Sequence, residues 1–223
     1  MTRFIHDQFA KKYLAELLAF FGEGEVKTSV DIAAEVKQAD VLFIASPEGR
    51  RRAKGKTPAN NPTMTMAAKL AASSALFEPF RNAVSPKEIV NCCCKLSNFR
   101  DKMEREAKRK KKTISETELP FLWIISPTFS EELIKRSCAV TDEENYSKGV
   151  YLLPDMLQAR VIAVHQLPDT PETLWLRILG RGKVQEKAIK ELKSLPLEST
   201  LRNNALELVY EMLSHCSQDK NNN

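Results

Sequence analysis

Ala75-Leu-Phe-Glu-Pro-Phe80, followed after a short turn by Ser85-Pro-Lys-Glu88, is the stretch that decides the fold class. The first six residues are apolar apart from Glu78 and one proline, the composition of a short buried strand. The next four open a helix. Ser85 stands as N-cap, Pro86 takes the first helical position, and Glu88 three residues after the serine completes a capping box. An apolar stripe at Ile89, Cys93, Leu96, Phe99, Met103 and Ala107 carries that helix onward. Pro120-Phe-Leu-Trp-Ile-Ile-Ser-Pro127 then reads as a second buried strand bounded by prolines. Strand, long helix, strand is a crossover unit, and it calls for a sheet covered by helices.

Upstream, Phe9, Tyr13, Leu17 and Phe20 recur at helical spacing, giving a helix over 7–21 that Gly22 and Gly24 stop. Val30, Ile32, Ala34 and Val36 alternate with polar residues as in a strand with one wetter face. Ala39-Asp-Val-Leu-Phe-Ile-Ala45 is apolar on both faces except at Asp40, the pattern of a central strand. Residues 46–62 read as a loop punctuated by proline and glycine, and 63–73 as a short helix. Downstream, 160–166 is a further strand. Thr170-Pro-Glu172 opens a short helix closed by Gly180 and Gly182, and helices at 184–195 and 198–214 finish the chain.

The expected fold is therefore α/β, a mixed central sheet of about 4–5 strands flanked by helices, with a helical C-terminal tail. Residues 1–168 form the core, 169–215 a helical extension packed on it, and 216–223 a disordered tail. A chain of 223 residues suits one such core.

Composition excludes several classes. No apolar run approaches the ~20 residues that span a bilayer, and the first residues hold no apolar signal segment. The five cysteines (Cys92, Cys93, Cys94, Cys138, Cys216) form no Cys-x-x-Cys, and three in a row on a helix point three ways. Reduced thiols in the cytoplasm are the expectation, not a disulfide framework or a zinc site. Charge is uneven. From Lys95 to Lys112 nine cations face three anions, an excess larger than the chain's whole net charge of +5. Lys95, Lys108, Arg109, Lys110, Lys111 and Lys112, with Arg50, Arg51 and Arg52 in the loop, are candidate contacts to a polyanion such as DNA. A solvated helix end and loop is the alternative, and lysines at a helix C-terminus also complement its dipole.

Two acids occupy strands that ought to be apolar, Asp40 and Glu78. Two carboxylates 4 Å apart repel by roughly 4 kcal/mol at an effective dielectric of about 20. A cation between them relieves this, and Mg²⁺ takes one or two carboxylates plus waters and phosphate oxygens. Alternatively, each acid sits at a strand end and meets solvent or a basic side chain. His165, on an apolar strand, is either a metal-site neighbour or a hydrogen-bonded core residue. Trp123 and Trp175 read as core, and Gly180-Arg-Gly182 as a helix end or phosphate cradle.

His6-Asp-Gln-Phe9, Glu35-Val-Lys-Gln-Ala-Asp40, Phe77-Glu-Pro-Phe-Arg-Asn82 and Leu122-Trp-Ile124, together with Glu172 through Gly182, Gln185 and Ala188-Ile189, carry a resemblance. With the order of elements, the chain resembles the PD-(D/E)xK nuclease superfamily, and within it a bacterial branch of the recombination-promoting nuclease family. The resemblance implies a restriction-endonuclease-like fold and Mg²⁺-dependent phosphodiester hydrolysis in DNA. It makes Asp40 and Glu78 the metal ligands, and Asp7 or Glu16 of the first helix an assisting acid, although Asp7 also suits a helix cap. The chain departs from the motif where a lysine is expected, for that position is Phe80. Arg81 points to the opposite face of a regular strand, and a bulge at Pro79 would bring it back to complete a catalytic set of Asp40, Glu78 and Arg81. Lys95 on the following helix is the second replacement. Two other functions stay open: DNA binding without cleavage, and a protein-interaction module.

Overall fold

A computed structural model describes residues 2–32, 37–48 and 66–221 of the chain. Its elements in order are α1 (Thr2–Phe21), β1 (Gly24–Ile32), β2 (Lys37–Ala45), α2 (Met66–Leu70), β3 (Ala75–Pro79), α3 (Pro86–Arg109) and β4 (Phe121–Ser126). After these come α4 (Glu131–Arg136), β5 (Val150–Leu152), β6 (Ala159–Ala163), α5 (Leu174–Arg177), α6 (Lys183–Lys193) and α7 (Thr200–Asn221). The sheet has six strands in the order β1-β2-β3-β4-β6-β5. β3, β4 and β6 run parallel, and the remaining neighbours are antiparallel. This is the mixed, helix-flanked α/β sheet that the crossover unit requires.

Alternation of side chains divides the strands between two cores. Val41, Phe43, Phe77, Trp123 and Ile125 face α1, α2 and α5. Leu42, Leu76, Leu122, Ile124 and Val161 face α3. A third cluster joins the outer side of α1 (Phe9, Tyr13, Leu17) to α5, α6 and α7, and the Tyr13 hydroxyl donates to the Trp175 carbonyl at 2.8 Å. Helix α1 is thus held between the sheet and the C-terminal helices. Arg177, wholly buried, pins the start of that C-terminal block through Asp169 at 3.2 Å and Glu191 at 2.6 Å.

The differences from the sequence reading have local causes. β1 begins at Gly24, earlier than the alternation at 30–36 suggests, and residues 33–36 lie outside the described residues. A Cβ at Gly24 would stand 2.1 Å from the Ile44 carbonyl oxygen, so glycine permits the close approach that starts this hairpin. As an edge strand, β1 keeps exposed charges, with Lys27 and Glu25 paired at 3.1 Å, and an edge needs such polarity more than an apolar face. β5 is a three-residue edge strand too short to show a period. β6 ends at Ala163, and Val164–Gln166 forms a 3-10 turn. α7 continues to Asn221, so its end is helical where a disordered tail from 216 is the sequence expectation. The loop cations Arg50, Arg51 and Arg52 lie outside the described residues.

The capping box at α3 forms as the sequence implies: Glu88 N–H donates to Ser85 Oγ at 3.3 Å, and Ser85 N–H to Glu88 Oε2 at 2.8 Å. The stripe differs by one residue, since Cys92 is buried and Cys93 only half-buried. Cys92 lies three residues after Ile89 and four before Leu96, the spacing of one helix face. Removing the cap by Ser85→Ala should cost about 1 kcal/mol. For a chain of this size that lowers Tm by about 2–4 °C, measurable by thermal denaturation.

Candidate active site

Asp40 lies near the start of β2 and Glu78 near the end of β3, one step past the last paired residues, Val41 and Phe77. The register therefore sets the two acids opposite each other, on the face that α3 covers. They stand at the carboxyl ends of the parallel strands, the end of an α/β sheet where ligands are bound. A cavity of about 680 Å³ opens there, with Asp40, Glu78 and Lys95 inside it and His6, Arg81 and Arg181 among its walls.

Each acid is met by one lysine. Lys95 of α3 approaches Glu78 Oε2 at 2.6 Å, and Lys11 of α1 approaches Asp40 Oδ1 at 2.9 Å. Lys11 also holds Asp7 Oδ2 at 3.0 Å, four residues earlier on its own helix. Among the described residues Glu78 Oε1 is buried with no hydrogen-bond partner, and no ion pair reaches Asp40 Oδ2. Two hard oxygen donors, each steadied through its other oxygen, fit a divalent cation of the Mg²⁺ kind. Among the described residues no third His, Cys, Asp or Glu joins them in a metal-sized group. Waters and a substrate phosphate would have to complete such a shell.

The electrostatics follow from burial. Glu78 is 2 % exposed, and burial lifts its pKa to about 7. Lys95 pulls it down, while the charge of Asp40 pushes it back up. The nearby Asp40 backbone amide adds a weaker pull but no well-aligned hydrogen bond. Asp40 is also raised, by burial first, against the bond from Lys11. Burial lowers the Lys11 ammonium, but its bonds to Asp40 and Asp7 more than offset this and leave it raised. On the wall, the His6 pKa is lowered by burial and then by Arg81 and Arg181, which favours the neutral imidazole.

The other residues singled out in the sequence fall in varied places. β3 runs through Pro79 without a bulge, its parallel register with β4 unbroken from Ala75 to Pro79, and Phe80 N–H continues to the Ile125 carbonyl at 2.7 Å. Arg81 lines the cavity near His6 and makes no ion pair with either acid among the described residues. Asp7 does not cap its helix, because α1 begins at Thr2 and Asp7 is already in its interior. Glu16 bonds Asn204 of α7 at 2.9 Å, away from the cavity. His165 is not core: it is exposed, and its Nε2 accepts the Arg181 backbone N–H at 3.2 Å. Gly180 and Gly182 do bound the turn into α6, and Gly182 at φ +53° uses glycine's freedom. Arg181 in this turn bonds the Arg81 carbonyl at 2.7 Å and Asn82 Oδ1 at 2.8 Å.

Lys108, Arg109, Lys110, Lys111 and Lys112 are exposed, but not at the cavity. Arg100, on the way to them, bonds the Pro120 carbonyl just before β4, at the opposite end of the sheet. Fifteen helical residues put Lys110 about 22 Å from Lys95. Only Lys95 of the basic segment belongs to the site. Lys11 is the residue that sequence reasoning misses; its signal is its place one turn after Asp7 on the α1 face turned toward β2.

Compared with protein-family models, curated proteins and solved structures, the chain finds no match in any of the three. Its function has to be read from Asp40, Glu78 and their two lysines.

Glu78 makes one consequence measurable without any ligand. Its folded pKa of about 7 exceeds the ordinary 4.5, so the native state keeps a proton that the unfolded chain loses. Stability from this group is complete below about pH 4.5 and is lost as pH rises through about 7, a fall of about 3 kcal/mol. Urea titrations in chelator across that range should show the fall, and Glu78→Gln should flatten it.

Proposed function

We propose that the chain is a Mg²⁺-dependent DNA endonuclease of the PD-(D/E)xK type, working in a reducing cytoplasmic compartment. The observation that carries the reading is the pair of acids, Asp40 and Glu78, opposite each other in a cavity that also holds a lysine, with Glu78 Oε1 buried and without a hydrogen-bond partner among the described residues. When bound, the metal would polarise a phosphodiester and stabilise the charge that builds on it during hydrolysis.

The protein's own residues supply the rest. Asp40 and Glu78 present hard oxygen ligands on one face. Lys95 takes the part that the superfamily motif gives to a strand lysine: its ammonium, 2.6 Å from Glu78, can hold an attacking water and neutralise developing negative charge. Its place on a helix explains why the strand position is free to be Phe80. Lys11 is a positioning residue, fixing Asp40 through one oxygen so that the other faces the cavity. Arg81 and Arg181, on the wall, carry fixed positive charge suited to a phosphate backbone.

Supercoiled plasmid should be nicked in Mg²⁺ and left intact in chelator. Asp40→Asn and Glu78→Gln should abolish nicking, and Lys95→Ala should slow it by about 10²–10³-fold, the cost of removing one transition-state donor. Arg81→Ala should cost roughly tenfold or less, as for a single phosphate contact. If Arg81→Ala proves as damaging as Lys95→Ala, the assignment of the lysine role is wrong.

A second reading, DNA binding without cleavage, is favoured by the five exposed cations at the end of α3, which form no ion pair among the described residues. It predicts binding to duplex DNA in chelator with log Kd linear in log salt. Neutralising Lys110, Lys111 and Lys112 together should then reduce the slope by about 0.9 for each phosphate these lysines neutralise. An unchanged slope rules out this helix end as a DNA contact.

A further inference from the structure

We infer that the substrate of this cavity is an unpaired DNA strand, an inference that rests on the hydrolase reading and narrows it. Size is the first argument. At about 680 Å³ the cavity falls in the range that encloses one small ligand, room for a nucleotide or two. Glu78 is nearly inaccessible on its floor. Two of its walls, the turn after β3 and the turn before α6, are tied together by the Arg181 bonds to the Arg81 carbonyl and Asn82. A phosphodiester reaches the acids only where its strand can enter without a complement alongside, as at the transiently melted stretches of a negatively supercoiled plasmid.

Charge is the second argument. Duplex DNA presents one negative charge per ~1.7 Å of its axis and is held by an array of cations. Among the described residues the cavity is lined by three, Arg81, Lys95 and Arg181, and Lys95 is already bound to Glu78. The basic end of α3 lies at the other end of the sheet and cannot extend this set into a track.

The third argument is Phe80. It stands where a lysine is expected and continues β3 on Glu78's face, half-buried against the α3 core, and it lines the cavity. An aromatic ring beside a phosphate-binding pair can stack on a base only if that base has left its own stack. Such stacking strengthens single-strand binding by roughly 5- to 150-fold per base. Phe80 therefore holds the base, while Arg81 and Arg181 flank the phosphate.

The test compares a fluorescein-labelled oligothymidylate with a blunt duplex of equal length. Binding is followed by anisotropy in Ca²⁺, and cleavage is followed in Mg²⁺. The single strand should bind at least tenfold more tightly, with a salt slope of about −1.4 for two phosphate contacts at about −0.7 each, and should be cut faster. Phe80→Leu keeps the apolar bulk that supports the fold but removes the ring face; it should lose at least fivefold in single-strand affinity with Tm unchanged. Equal binding and equal cleavage of the two forms overturn the inference and leave the nuclease reading standing. Tighter binding of the single strand with no cleavage in Mg²⁺ sustains the strand preference and overturns the nuclease reading. Failure to bind either form overturns both.

Discussion

Two like charges in one sheet are the constraint on which the rest of this structure depends. Asp40 and Glu78 stand opposite each other with little water, an arrangement that repulsion and desolvation both oppose. It is tolerated because a lysine arrives from each side, Lys11 from α1 and Lys95 from α3. At 2.9 and 2.6 Å these attractions act against the repulsion between the two acids. The two helices pack on opposite faces of the sheet, and one lysine from each reaches the acids at its end. Helix α1 cannot drift, since its outer side is buried under α5, α6 and α7. The C-terminal helices are therefore part of the site without lining its centre.

The same geometry separates two features that the sequence joins. Helix α3 begins beside the acids and runs back along the sheet, so its Lys95 and its terminal lysines serve different ends of the molecule. One segment carries both a residue suited to chemistry and a charge cluster suited, at most, to holding nucleic acid at a distance. A high count of cations in sequence says little about whether they share a surface. The helix rise of 1.5 Å per residue decides that.

What is legible in the sequence is whatever conflicts with its surroundings. Asp40 and Glu78 stand out because a strand core should hold no acid, and the α3 start stands out because Ser85, Pro86 and Glu88 act within four residues. Lys95 is visible as a residue on the next helix but not as the nearest base to Glu78. Lys11 is invisible, being one lysine beside another on an amphipathic helix, where the ordinary expectation is solvent. The edge strands β1 and β5 are blurred or lost from view for a related reason, since an edge carries little of the apolar alternation that marks a central strand. Single-residue chemistry is local, whereas the partners of a charge depend on how distant elements meet.

Pro79 shows how closely backbone and chemistry are linked here. A proline inside a sheet ordinarily implies a bulge, because it has no N–H to donate. Along β3, however, successive N–H groups point to alternate neighbours, and Phe80 donates to Ile125 of β4. The Pro79 nitrogen therefore faces β2, where pairing has already ended at Val41 and Phe77, and no donor is missed. The strand stays regular, Phe80 takes the place beside Glu78, and Arg81 lies on the cavity wall near His6. The same proline gives β2 no bond to resume the ladder, so the two strands end their pairing just where the acids stand. On this account what β3 contributes after its glutamate is Pro79, and the cation that meets Glu78 comes from the helix, as Lys95.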